Sequence, residues 1–197
     1  MRLPIVLLAL LLPVAACTQT HESPAGALRP APYPCDGCEI THEADPDTLG
    51  WQATVAAADE PGERLVLTGR VVGPDGRTPM PEVVLYVHQT DATGRYRHED
   101  SRLALQGWLR TDAEGRYRVE TIRPGPYPSG GMPAHIHVYV AEPGRAAYYL
   151  NDFVFEGDPE LTPTYRATLL PGPDDGVLRL TRDGDGWLGI RDLRLVR

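Results

Sequence analysis

The sequence contains no lysine, and all of its 19 basic residues are arginines. The formal net charge is −8 at pH 7, so the chain lacks the excess of positive charge that nucleic-acid binding favours. We therefore expect no nucleic-acid partner. Aromatic residues make up only 7% of the chain, whereas glycine and proline number 20 each. This composition is typical of a turn-rich β protein.

The apolar run at the start of the chain is too short to cross a membrane as a helix. It follows a basic residue and ends in three small residues before Cys17, which is typical of a bacterial lipoprotein signal peptide. We predict that residues 1–16 are the signal peptide and that a lipid on Cys17 anchors the exported protein to a membrane, facing the periplasm. Thr18 leaves outer-membrane sorting open, and an ordinary cleaved signal with an incidental cysteine is the alternative.

The other two cysteines, Cys35 and Cys38, are separated by two residues. No second cysteine pair is present for a zinc site, and no histidine follows Cys38 for haem attachment. In an exported protein this spacing favours a local disulfide, with a redox-active pair as the alternative. The pair lies within residues 17–62, which we predict to be a flexible tether and lead-in before one domain at 63–197.

Short runs of β-forming residues alternate with turn signals from residue 64 onward. The predicted strands span residues 65–72, 83–89, 107–111, 116–122, 135–140, 147–155, 166–170, 177–182 and 187–196. Because no long helical pattern interrupts them, they predict an all-β fold, an antiparallel β-sandwich. The strands on either side of the turn at 112–115 are expected to form a hairpin.

Two histidines and two tyrosines form a candidate metal site. His135 and His137 are two apart in a predicted strand, so both imidazoles should project from the same face. Tyr127 lies just upstream between two prolines, and Tyr96 lies beside a glycine turn. Neutral imidazoles with anionic phenolate oxygens suit a hard trivalent ion such as Fe(III). Taken singly, each of the four residues also fits a structural role in a turn, a loop or a strand.

In these segments the chain resembles the intradiol ring-cleavage dioxygenases, the family of catechol and protocatechuate dioxygenases. The matching segments are Gln89 with 91–96, 111–112, 115–117, 121–128, 133–137 and 155–159. They occur in the order of the family and cover about half of the chain, which makes the resemblance far more specific than a lone pair of histidines. The resemblance also implies a β-sandwich, in agreement with the strand pattern.

The resemblance implies a function as well as a fold. It implies that Tyr96, Tyr127, His135 and His137 bind a non-haem Fe(III), with a solvent hydroxide as fifth ligand. Tyr127 would be the catalytic ligand that leaves when substrate binds and accepts a substrate proton. The implied reaction is cleavage of a small aromatic diol by O2 to a muconate-type diacid.

Two positions depart from the pattern of the family. Met132 stands where the family usually has an arginine, and Asp152 stands where a glutamine is expected. The first change removes a cation that would stabilise charge on the substrate, unless Arg110 or Arg123 compensates for it. We expect Met132, Asp152 and Arg97 to contribute to substrate binding.

The main alternative is a protein without catalytic activity. The glycine-rich segments 111–117 and 124–127 also resemble carboxypeptidase-regulatory-like sandwiches, which would make the chain a binding or structural module on a membrane-anchored lipoprotein. Such a module has no need of His135 and His137, so these two residues favour the dioxygenase. The other strand and turn histidines, His88 and His98, we interpret as structural.

Overall fold

The computed structural model describes residues 28–171 and 174–197. The predicted signal peptide and Cys17 lie outside the described residues. The strands in the described part are β1 (Gln52–Thr54), β2 (Arg64–Val72), β3 (Val84–Gln89), β4 (His98–Glu99), β5 (Arg102–Leu103), β6 (Gln106–Arg110), β7 (Arg116–Ile122), β8 (His135–Ala141), β9 (Tyr148–Tyr149), β10 (Phe153–Phe155), β11 (Val177–Leu178), β12 (Leu180–Asp183), β13 (Gly186–Ile190) and β14 (Leu193–Arg194). The helices are α1 (Pro163–Arg166) and two 3-10 helices, Cys38–His42 and Pro46–Thr48. None of the helices in these ranges is long and apolar enough to span a membrane.

Twelve of the fourteen strands form two sheets that share one apolar core, and β4 and β5 form a separate antiparallel pair. Sheet I has the strand order β1-β7-β2-β13-β12, with β14 beside β2, and sheet II has the order β11-β10-β8-β3-β6, with β9 beside β8. Leu67 and Val119 of sheet I belong to the same core cluster as Leu85 and Val138 of sheet II, and all four are at most 1% exposed. The predicted all-β sandwich is confirmed.

Both sheets are mixed, although the sequence predicted antiparallel pairing. The central pairs β2/β7, β3/β8 and β3/β6 are antiparallel. The pairs β1/β7, β2/β13, β2/β14 and β10/β11 are parallel. The parallel partners come from strands distant in the sequence, and local turn signals carry no information about such pairings.

The predicted hairpin around residues 112–115 is wrong, because its two strands belong to different sheets. Strand β6 pairs with β3 in sheet II, whereas β7 pairs with β2 in sheet I. The turn docks against the end of β2, where Val71 N–H donates to the Gly115 carbonyl at 2.7 Å. A Cβ at Gly115 would lie 2.6 Å from the Val71 carbonyl oxygen. The turn is therefore a corner between the sheets.

Four other predicted strands also differ from the structure. Residues 177–182 divide into β11 and β12, which belong to different sheets. Residues 147–155 divide into β9 and β10, and residues 187–196 divide into β13 and β14. The strand predicted at 166–170 is wrong, because α1 and a turn occupy this region. Thr162 caps this short helix by accepting a bond from Tyr165 N–H, and Pro163 holds its first position.

The sandwich begins earlier in the chain than the predicted boundary at residue 63. Strand β1 pairs with β7, and Val55 and Ala56 after it are buried in the core. Cys35 and Cys38 are joined by a disulfide at the start of the first 3-10 helix. Trp108 of β6 donates its indole N–H to Ile40 O of that helix at 2.8 Å. Part of the predicted lead-in is therefore packed against the domain.

Candidate metal centre

Strand β8 presents one face to the core and the other to the candidate site. Ile136 and Val138 project into the core and are 0% and 1% exposed. His135 and His137 alternate with them, so both imidazoles project from the opposite face of sheet II. This arrangement follows directly from the period of two in an extended chain.

A glycine contact holds the two tyrosine segments together. The turn 91–94 packs against the loop 123–131, and Gly125 N–H donates to the Asp91 carbonyl at 2.9 Å. A Cβ at Gly94 would lie 1.8 Å from the Pro126 carbonyl oxygen, and the φ of Gly94 is +78°. Only glycine permits this approach, which places the side chains of Tyr96 and Tyr127 on the same side as the histidines.

The Asp91 side chain stabilises the same turn. Its carboxylate accepts bonds from Thr93 N–H at 2.8 Å and from Arg95 N–H at 3.1 Å. Behind the turn, the buried Gln89 side chain donates to the Ile122 carbonyl and accepts from Thr121. The motif from Gln89 to Tyr96 therefore consists largely of residues that fix the position of one tyrosine.

Four side-chain atoms meet in a closed ring, which we call the His-Tyr tetrad: Tyr96 Oη, Tyr127 Oη, His135 Nε2 and His137 Nε2. Tyr96 Oη lies 2.9 Å from Tyr127 Oη, and Tyr127 Oη lies 3.2 Å from His135 Nε2. His135 Nε2 lies 3.2 Å from His137 Nε2, which lies 3.0 Å from Tyr96 Oη. Ligands of one first-row metal ion have such spacings, because each binds at roughly 2 Å from the ion. The structure thus brings together all four predicted ligands.

Both histidines turn an unprotonated nitrogen toward the ring. Nδ1 of His135 lies 2.8 Å from the Pro133 carbonyl, which can only accept, so this nitrogen carries the proton. Nδ1 of His137 lies 3.1 Å from Oδ1 of Asp152, which favours the same tautomer. In neutral imidazoles Nε2 then carries the free electron pair that a metal ligand requires.

The proton count of the tetrad shows that it fits a cation. Two tyrosine hydroxyls supply two protons, which can satisfy at most two of the four contacts around the ring. The remaining contacts place electron pairs against each other at about 3 Å in a half-buried site. A positive ion bound by all four atoms removes this conflict. The nitrogen and phenolate donor set suits Fe(III).

Burial keeps the tetrad free of competing charge. Burial, followed by the neighbouring His137, lowers the pKa of His135, so its imidazole is neutral at neutral pH. Burial, followed by the hydrogen bond with Tyr127, raises the pKa of Tyr96. A phenolate at Tyr96 is therefore disfavoured without a cation, and binding of a metal ion would release its proton.

Asp158 fixes the start of the histidine strand. Its Oδ2 accepts a bond from Ala134 N–H at 3.0 Å, one residue before His135. Its other oxygen accepts from Glu160 N–H at 2.9 Å. The motif at residues 155–159 therefore supports the site without contributing a ligand.

The residues predicted to bind substrate separate into two groups. Met132 and Asp152 line one cavity beside the tetrad. Arg97 lies elsewhere: its guanidinium pairs with Glu60 at 2.6 Å and with Asp91 at 3.5 Å, and it lines a different cavity. Arg97 therefore lies apart from Met132 and Asp152, because two carboxylates hold its guanidinium at a different cavity.

Neither arginine considered as a replacement for the missing cation lines the cavity beside the tetrad. Arg110 pairs with Asp47 at 3.5 Å, and Arg123 lies over the ring of Phe155 and near Glu63. The cavity beside the tetrad therefore has no arginine among its described lining residues.

Sequence reasoning missed two side chains near the site. His88 of β3 stacks on His137, with ring centroids 4.4 Å apart, and burial lowers its pKa to about 3. Its position opposite His137 in the β3/β8 register is a long-range feature. Tyr165 of α1 lines the cavity with Met132, and burial followed by the charge of Asp152 raises its pKa to about 12. Tyr165 directly precedes the segment 166–170 that was predicted as a strand, and no motif marked it.

A second donor set includes Asp152. His135, His137 and Asp152 each offer one potential ligand atom within 4.8 Å of the others. Asp152 contacts Nδ1 of His137, which is the imidazole nitrogen that does not face the tetrad. Asp152 is therefore placed to orient the ligand His137 rather than to replace a tyrosine in the tetrad.

Comparisons with known proteins agree with this geometry. The family model described as Dioxygenase matches residues 41–169. The β chain of protocatechuate 3,4-dioxygenase from Burkholderia cepacia is 33% identical over 137 residues, 62% of this chain and 58% of that one. The present chain thus spans somewhat more than half the length of that relative.

Solved structures share the fold. The dioxygenase domain of a dioxygenase–carbohydrate-binding fusion from a cellulolytic Streptomyces aligns with a TM-score of 0.61 and 30% identity, covering 72% of this chain and 85% of that chain. The 3-chlorocatechol 1,2-dioxygenase of Rhodococcus opacus aligns with a TM-score of 0.57 and 25% identity, covering 72% and 62%.

Proposed function

The chain belongs to the intradiol ring-cleavage dioxygenase family, and from this premise we propose that it uses O2 to cleave a catechol-type diol. Cleavage falls between the two hydroxyl-bearing carbons and gives a muconate-type diacid. The observation that supports this proposal is the His-Tyr tetrad, whose four atoms lie 2.9–3.2 Å from their neighbours in the ring. Bound by the tetrad, Fe(III) would supply a Lewis acid that holds the diol as a dianion and makes its ring reactive toward O2.

The four ligands differ in how firmly the fold holds them. His135 and His137 belong to a central strand of sheet II, and Tyr96 follows the turn braced by Asp91. Tyr127 lies in the loop 123–131, whose residues 128–131 are exposed and belong to no strand. Tyr127 thus lies outside both sheets, in a loop that is exposed directly after it, and we take it as the ligand that leaves when the diol binds.

This loop position suits Tyr127 to a proton-transfer role. A diol must lose both hydroxyl protons to bind as a dianion. As the phenolate that a bound cation would favour, Tyr127 Oη would be placed to accept one of them, while a solvent-derived hydroxide would take the other. The buried position of His135, 4% exposed, limits access of bulk water from the sheet side.

Asp152 supports the reaction indirectly. Its carboxylate holds Nδ1–H of His137 and so keeps Nε2 directed into the tetrad. Because the imidazole cannot rotate without losing this bond, Asp152 preserves the ligand geometry while Tyr127 moves.

Export completes the proposal. If Cys17 carries a lipid, the enzyme would face the periplasm and meet aromatic diols, such as plant phenolics, before they enter the cytoplasm. Metabolic labelling with a fatty-acid probe, compared between the natural chain and Cys17→Ser, tests this part separately from catalysis. Equal labelling of the two chains would contradict lipid attachment at Cys17.

The activity is tested by product analysis. The full chain is reconstituted with ferric ion and given catechol, and we expect O2 consumption together with a muconate-type diacid. Tyr127→Phe should lower the rate strongly, whereas His42→Gln, a change at an exposed histidine away from the tetrad, should not. If all of the products come from extradiol cleavage, the proposal is contradicted. Failure to bind iron at all would favour the non-catalytic module instead.

A further inference from the structure

A cavity of about 180 Å³ lies beside the tetrad. Its lining combines apolar and uncharged polar side chains with a single carboxylate; the residues that matter here are Met132, Leu150, Asp152, Tyr165, Leu169 and Leu170. The apolar side chains come from three segments: the loop before β8, the segment between β9 and β10, and the segment around α1. The cavity is therefore a product of tertiary packing.

Two of these residues connect the cavity to the tetrad. Asp152 contacts His137 directly, and Met132 precedes Pro133, whose carbonyl accepts the Nδ1 proton of His135. The cavity therefore adjoins the groups that orient both histidines of the tetrad.

None of the described residues that line this cavity carries a positive charge. The cations on nearby elements have carboxylate partners outside the cavity: Arg166 lies 3.5 Å from Asp175, and Arg191 lies 2.8 Å from Asp174. Arg191 also donates to the backbone carbonyls of Asn151 and Asp152 but does not itself line the cavity. The charge that does line the cavity is the carboxylate of Asp152. A second carboxylate placed here would lose hydration and meet a like charge without a partner.

We propose that this cavity receives the ring substituent of the diol and selects substrates with an uncharged, apolar substituent over carboxylated ones. This inference rests on the proposed function and adds the substrate class to it. Met132, Leu169 and Leu170 provide apolar contact, and Asp152 repels a carboxylate.

The test compares 3,4-dihydroxybenzoate with its methyl ester, which has nearly the same shape but no charge. Each is titrated into the ferric full chain without O2, and the Kd is read from the change in the tyrosinate-to-iron absorption band. We expect the ester to bind roughly tenfold or more tightly than the acid, because a partly buried like-charge contact costs at least this factor.

Variants separate the cavity from the intrinsic chemistry of the two diols. Met132→Arg should shift the acid-to-ester affinity ratio toward the acid by about tenfold or more, while Met132→Leu should leave the ratio unchanged. Leu169→Arg introduces the cation from another segment and provides a second variant if Met132→Arg does not fold.

The outcomes are distinct for the two proposals. An iron-loaded, coloured protein that binds acid and ester equally, or whose ratio does not respond to either arginine variant, overturns the cavity inference alone. A protein that takes up no iron and develops no band overturns the proposed function, and the cavity inference fails with it.

Discussion

Strand β8 has a polar cluster at each end, and the two clusters differ in whether the protein alone satisfies them. Just after its end, Glu142 and Arg145 form a buried ion pair at 3.0 Å, with both side chains 5% exposed. Tyr148 donates to the same carboxylate, and Arg145 also donates to the Val196 and Arg197 carbonyls. Each charge has an opposite charge and several hydrogen bonds, so this cluster needs no ligand.

The tetrad at the start of β8 has the opposite character. It contains four potential acceptors and two exchangeable protons, and its nearest carboxylate, Asp152, is occupied by His137. The comparison shows that burial alone does not mark a functional site. A buried set of polar atoms that cannot all form hydrogen bonds does mark such a site. A bound cation is the simplest group that can satisfy the remaining electron pairs.

Removing a ligand should have the largest effect and separate the two clusters most clearly. His137→Ala is expected to abolish ferric binding and lower ring cleavage on the order of a thousandfold, since the ligand set is no longer complete. Unfolding in urea should change little, because this side chain forms no part of the apolar core. His42→Ala is the control, and an iron-replete His137→Ala protein would contradict the assignment.

Breaking the cluster of Glu142 and Arg145 should lower stability and leave iron binding intact, which is the reverse of the effect of removing a tetrad ligand. Arg145→Met leaves the buried Glu142 with only the exposed Arg29, 3.4 Å away, as a counter-charge, which should lower the free energy of unfolding by about 3 kcal/mol. Iron content and absorption of the remaining folded protein should be unchanged. Arg179→Met, which breaks an exposed pair with Glu156, should change stability far less, because solvent screens this pair. If Arg145→Met and Arg179→Met lowered the free energy of unfolding in urea equally, the special role of the buried cluster would be contradicted.

Gly94→Ala should disturb the tetrad without touching a ligand. The added Cβ must displace the Pro126 carbonyl, and the movement should shift Tyr127. We expect a loss of roughly 1–3 kcal/mol in stability and a weaker tyrosinate-to-iron band. Gly144→Ala is a matched control, because Gly144 has a similar φ of +71° but no atom within 4 Å of the added Cβ. If both variants keep the full band, the Gly94 contact does not position Tyr127.

Asp152 should have the smallest effect of the four. Asp152→Ala removes the acceptor for His137 and should weaken ferric binding by about 10–100-fold, measured by competition with a chelator. Asp152→Asn can still accept through its amide oxygen and should lose less. If both variants lost iron to the same extent as His137→Ala, Asp152 would be a ligand itself.

The tetrad was predictable because short motifs carry most of it. The spacing of His135 and His137 in a strand determines their common face, and glycine or proline beside each tyrosine indicates a constrained turn. The position of these segments relative to each other came from resemblance to the family. The structure supplies the physical reason in the contact between Gly94 and Pro126.

Features that depend on distant contacts were not predictable. The turn at 112–115 has the sequence of a hairpin, yet its docking against Val71 makes it a corner between sheets. The position of Arg97 depends on Glu60, which is far from it in sequence. The parallel partners of β2 likewise come from the end of the chain, and no local pattern reveals them.

The central claim is that the tetrad binds ferric ion through two tyrosines and two histidines. The most direct test measures the iron content and visible spectrum of the full chain after ferric reconstitution, with Tyr127→Phe beside it. We predict one iron per chain and a red-brown tyrosinate-to-iron band that changes in the Tyr127→Phe protein and shifts when catechol is added. A natural protein that stays colourless and metal-free after reconstitution would contradict the account.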